Sequence, residues 1–87
     1  MGDFDCIIIK HGHQPFIYKV KSASQDFEIV DLSRMVTEAF SIQKIEETEI
    51  STGRKALYIV ANKLRWDRED VVAEIHRLQP RPVKYYD

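Results

Sequence analysis

The chain predicts an α+β domain of order ββαββα: a mainly antiparallel four-stranded sheet with two helices packed on one face. Three observations lead there. Lys55–Ala61 is apolar on both parities after its first residue, the pattern of a strand covered on both faces. Two stretches with apolar residues at helical spacing each follow an aspartate placed to cap them. Glycine turns at Gly12 and Gly53 separate paired strand-like runs, so each half reads as a hairpin followed by a helix.

Taken in order, Phe4–Lys10 is a strand with Ile7, Ile8 and Ile9 at its centre, apolar on both faces and therefore internal. His11-Gly12-His13-Gln14-Pro15 is a turn, and Phe16–Lys21 returns as a second strand. There Phe16, Tyr18 and Val20 share one face, against Ile17, Lys19 and Lys21 on the other. Ser22–Gln25 is a polar loop. Asp26–Val30 reads equally as a short strand or as an extended lead-in to a helix, because Phe27 and Ile29 alternate. The first helix is expected to start at Asp31, with Leu32, Met35, Val36, Ala39 and Phe40 at i, i+3, i+4, i+7 and i+8. Ser41–Lys44 connects to the second half.

Glu46–Ile50 is the third strand, and its charges suit a sheet edge. Ser51–Arg54 turns into the central strand Lys55–Ala61. The second helix has Asp67 as its expected N-cap and Glu69 and Asp70 near the positive end of its dipole. Trp66 and Val71 have hydrophobic-staple spacing, and Val71, Val72, Ile75 and Leu78 form the apolar stripe. Pro80 and Pro82 end it. The core expected from this reading joins Met35, Phe40, Leu57, Ile59, Val71 and Ile75.

Residues 1–79 thus form one domain of two ββα units, 1–41 and 42–79, and 80–87 is an extended C-terminal tail. Asp31, Glu38 and Ala39 align with Asp67, Glu74 and Ile75, which suggests a unit used twice. Val83–Tyr86 is expected to add as a strand to a sheet edge, of this chain or of another subunit, with a homodimer the favoured form.

Eighty-seven residues with 44% hydrophobic content suffice for one core without disulfides or metals. A net charge of −1 argues against broad binding to DNA or anionic membranes. Cys6 has no partner for an internal disulfide, and the apolar run Cys6–Ile9 is too short to span a bilayer. The expectation is a cytoplasmic protein without membrane association.

No pattern meets the requirements of catalysis or cofactor binding. His11, His13 and Cys6 fall short of a zinc ligand set, and Cys6 should be buried and inert. Glu47 and Glu49 share one face by alternation, but a solvated edge explains them. The remaining signal is a set of cations interleaved with aromatics: Arg65, Trp66 and Arg68, then Arg81, Lys84, Tyr85 and Tyr86. Such residues dominate protein-interface hot spots and also suit single-stranded nucleic acid. The negative net charge ranks the protein partner first. The leading expectation is a small non-enzymatic interaction module, a regulator or inhibitor of a larger assembly, binding through its open sheet face and aromatic tail. Nucleic-acid binding is second and an enzyme third.

Overall fold

A computed structural model describes residues 3–86. Met1, Gly2 and Asp87, which the expected domain and tail include, lie outside the described residues. The expected ββαββα order does not form. Among the described residues the chain makes seven strands in two sheets and one short helix.

The elements are β1 (Phe4–Ile9), β2 (Phe16–Val20), β3 (Phe27–Asp31), β4 (Val36–Phe40), β5 (Gln43–Thr48), β6 (Lys55–Asn62), α1 (Arg68–Leu78) and β7 (Lys84–Tyr85). The main sheet runs β2-β1-β6-β5, with β7 also on β6; β3 and β4 form a separate antiparallel hairpin. The first hairpin and the β5–β6 hairpin pair antiparallel, as their turns require. Between the halves, β1 and β6 pair parallel, from Cys6 opposite Ile59 to Ile9 opposite Asn62.

β6 is the central strand. Its residues Ala56–Ala61 are all buried, as the two-sided apolar pattern demands. Alternation sends Ala56, Tyr58 and Val60 to one face with Ile7, Ile9 and Ile45, where Val71 and Ile75 of α1 cover them. Ile59 and Ala61 face the other way with Cys6, Ile8, Val20 and Phe40, under the β3–β4 hairpin. The molecule therefore has two cores, one on each side of the sheet. The expected joint core fails for this reason: Phe40 and Ile59 lie on one side, Val71 and Ile75 on the other, and Met35 is exposed.

The expected first helix is the largest correction. Asp31 accepts hydrogen bonds from the Ser33 N–H (3.1 Å), the Ser33 hydroxyl (2.7 Å) and the Arg34 N–H (3.3 Å). An N-cap aspartate makes the same local bonds to the residues two and three ahead. Here they close a turn at Leu32–Met35, with Met35 at φ 54°, and the chain returns as β4. With that helix gone, the repeat of two ββα units falls as well.

The second helix starts and stops where expected, with Gln79 its left-handed C-cap before Pro80. Asp67 sits at the N-cap in extended conformation but makes no side-chain capping bond among the described residues. The entry turn is held instead by Asn62, whose side chain donates to the Trp66 carbonyl and accepts from the Trp66 N–H, both at 2.9 Å. At the β5–β6 turn, Gly53 takes φ 74°, and its N–H donates to the Glu49 carbonyl at 2.8 Å.

Two outcomes follow from the two-sided core. Ile59→Ala should lower unfolding free energy by about 2–5 kcal/mol in chemical denaturation. Burial pushes the Cys6 thiol up to about 12, against a hydrogen bond from the Ala61 backbone. A thiol reagent at mildly alkaline pH should therefore leave the folded protein unlabelled and modify Cys6 only after denaturant is added.

Candidate functional site: a projecting hairpin

The β3–β4 hairpin is fastened at its base by aromatic packing. Phe27 and Phe40 are Cα partners in register, with ring centroids 5.3 Å apart. Phe27 also stacks on Tyr18 of β2 at 6.0 Å. Alternation turns Phe27, Ile29 and Phe40 toward the sheet, and all three pack on the core there.

One step outward, opposite Ile29, stands Glu38. Its two carboxylate oxygens accept from Lys63 and Lys10, each at 3.0 Å. Those lysines immediately follow β6 and β1, counting Asn62 and Ile9 as the strand ends, so one carboxylate ties the hairpin to both central strands. Lys63 also donates to the Ala39 carbonyl at 3.0 Å and lies over the Phe40 ring at 4.7 Å. The hydrogen bonds from Lys63 and Lys10 hold the Glu38 carboxyl below its ordinary value.

Beyond this clamp the hairpin leaves the body. Leu32 is 79% exposed and Met35 86%, and Val30 and Val36 are exposed beside them. Val36 lies on the inward-facing side of the hairpin and Val30 on the outer side, so the tip exposes apolar side chains on both faces. Exposed apolar side chains gathered at one tip make it the candidate site of this chain.

The structure separates the cations and aromatics singled out by the sequence. Arg65, Trp66 and Arg68 stand at the N-terminal end of α1. Trp66 packs on the helix-side core, and Arg68 is engaged by the Glu46 carbonyl (2.5 Å) and the Glu47 carboxylate (3.1 Å). Arg65 is exposed at φ 58°. Arg81 and Tyr85 lie beyond the other end of the helix, which spans about 16 Å at 1.5 Å per residue. Lys84 has its Nζ 5.0 Å from the Tyr86 ring, and its Cα partner is Leu57, not a helix-side residue. No single surface unites the set. The open sheet face expected for binding is covered by the β3–β4 hairpin.

Arg81 and Tyr85 line a cleft of about 470 Å³ together with Asp5, Glu49, Tyr58 and His76. Its acids are satisfied internally. Asp5 receives the Lys19 ammonium and the Arg81 N–H (2.8 Å); Glu49 receives the Tyr85 hydroxyl (2.9 and 3.0 Å) and the Thr52 hydroxyl (2.6 Å). Burial opposes ionisation of Asp5, but the Lys19 and Arg81 contacts outweigh it and its carboxyl sits below the ordinary value. Burial, reinforced by Glu49, pushes the Tyr58 phenol up to about 12, so it stays protonated at neutral pH. His76 Nε2 is buried, 3.9 Å from Glu47 and without a hydrogen bond among the described residues. Glu47 and Glu49 do share the helix-side face of the edge strand and its extension, but each has its own partners. Among the described residues no group of three His, Cys, Asp or Glu is arranged to hold a metal. No described helix is long and apolar enough to cross a membrane.

Sequence reasoning missed Leu32, Met35 and Val36 as surface residues because their spacing also satisfies a helix, and Val30 because it lay in the stretch read as a strand or a lead-in to that helix. The readable signal was Asp31 followed by Ser33, a pair that closes an aspartate turn as readily as it caps a helix. Comparison with protein-family models, with curated proteins and with solved structures finds no match.

The clamp has a pH signature. Glu38 has its folded value below the ordinary 4.5, so the stability it contributes is present above that pH. It is lost as pH falls through the lower, folded value. In acid titrations of stability below pH 4.5, Glu38→Gln should lose part of the wild-type decline. At neutral pH the same variant should speed amide exchange in β3 and β4 before the rest of the protein.

Proposed function

We propose that this chain is a non-enzymatic protein-interaction module whose docking element is the β3–β4 hairpin. The observation that carries the reading is the tip itself, four exposed apolar side chains held out from the body by the Glu38 clamp. Holding large apolar groups in water is unfavourable unless a partner covers them, and a clamped hairpin loses little freedom when it docks.

Charge favours an apolar groove on a protein over a polyanion. The cations beside the clamp are occupied, since Lys10 and Lys63 both pair with Glu38. With a net charge of −1, this end offers no basic collar for an anionic bilayer or for nucleic acid. The partner is accordingly a protein with an apolar groove wide enough for a two-stranded finger. The module acts by occupying that groove, in the manner of a regulator or inhibitor.

The test is the double variant Leu32→Ser with Met35→Ser. It should retain the wild-type melting temperature, because neither side chain is buried in the free protein. Captured on a column of extract from the source cell, wild type should retain a partner that the variant loses by at least about tenfold, the scale of one or two hot-spot side chains. A partner retained equally by both would place the docking surface elsewhere. Retention of anionic vesicles or of an oligonucleotide, lost on raising salt, would replace the protein partner with a polyanion.

A further inference from the structure

The tail after α1 occupies a slot on β6 of its own chain. β6 has two backbone edges. One is taken by β5. The other is shared: β1 pairs with Ile59–Asn62, and β7 pairs with Ala56 and Leu57 where β1 has ended. The tail enters this slot with the Val83 N–H on the Leu57 carbonyl (2.7 Å) and the Tyr86 N–H on the Lys55 carbonyl (2.9 Å). Tyr85 packs on the helix-side core, bonds Glu49 through its hydroxyl, and has the Arg54 guanidinium 3.9 Å from its ring centre. Val83 packs on the opposite core, and the Arg81 N–H donates to Asp5.

Every one of these contacts belongs to residues after Pro80. Only Gln79 and Pro80 join them to α1, and this joint is strained. Gln79 takes φ 49° and ψ 57°, the left-handed region that a side chain disfavours. It also immediately precedes Pro80, and the proline ring drives the residue before it toward extended geometry. Extending Gln79 would relieve both conflicts and carry the tail away from its own slot. Short hinge connections under strain invite exchange of the element they carry between copies.

We infer that the chain forms a two-fold dimer by exchanging residues 80–86, each tail seating on β6 of the other copy. The closed monomer and the exchanged dimer share the same tail contacts. They differ at Gln79, which is left-handed in the first and extended in the second. Closing in cis is favoured by dilution, and exchange by concentration. The hairpin tip takes no part, so this inference stands apart from the docking role proposed for it.

Sedimentation of the full chain across a concentration series should show monomer giving way to dimer. In a dimer prepared from a mixture of isotope-labelled and unlabelled copies, filtered NOEs should connect the Tyr85 ring with the Ala56 methyl of the other copy. Gln79→Gly removes the penalty on the closed hinge and should raise the dimer dissociation constant at least about tenfold. The Leu32→Ser/Met35→Ser variant should dimerise as wild type does. A monomer at every concentration would overturn the inference. So would a dimer lacking the Tyr85–Ala56 NOEs, or one dissolved by the hairpin-tip substitutions but indifferent to Gln79→Gly.

Discussion

β6 is the constraint on which the rest of the structure depends. A strand buried on both faces must have both faces covered by something apolar, and a strand buried along both edges must find a partner for every backbone N–H and C=O. The fold can be derived from those two demands. α1 and the β3–β4 hairpin cover the two faces; β5 takes one edge, and β1 and β7 divide the other. The division matters because β1 runs parallel to β6 and reaches only its second half. Without the tail, the carbonyls of Leu57 and Lys55 would face water beside a core of tyrosine and alanine.

Two polar pins hold the covering elements in place, one at each end of the sheet. Glu38 ties the hairpin to the residues following β1 and β6. Asp5 ties the tail to β1 through Arg81, with Lys19 of β2 alongside. Both carboxylates sit below their ordinary pKa because cations and N–H donors converge on them. The pins also define what is left loose. Past Glu38 the hairpin carries apolar groups into solvent; past Gln79 the chain is joined to its slot by a strained connection. The candidate docking element lies just outside the region pinned by Glu38, where little local stability is lost by moving.

The sequence by itself determined the elements whose signal is local. Lys55–Ala61 is apolar on both parities, and only a covered central strand satisfies that. Gly12 and Gly53 mark turns because positive φ is cheap there. The helix after Trp66 stands because its stripe of Val71, Val72, Ile75 and Leu78 is bounded by prolines, although the expected Asp67 cap is replaced by the Asn62 clamp. Docking of the tail was readable from its aromatic residues, although only Tyr85 packs on a core while Tyr86 stays exposed. Among the residues singled out for binding, only Arg81 and Tyr85 share a site, since sequence proximity does not bring opposite helix ends or opposite sheet faces together.

The tertiary structure alone decided the state of residues 31–40. Leu32, Met35, Val36, Ala39 and Phe40 fit a helix by spacing, and Asp31 offers the same hydrogen bonds to a helix cap and to a hairpin turn. Locally the two states are close, so long-range contacts choose between them. As a strand, β4 places Phe40 on the core beside Phe27 and Glu38 between Lys10 and Lys63, residues about 25 positions away on either side. Neither lysine announces that role in the sequence. The cost of the choice is exposure of Leu32 and Met35, and it leaves them free to meet a partner.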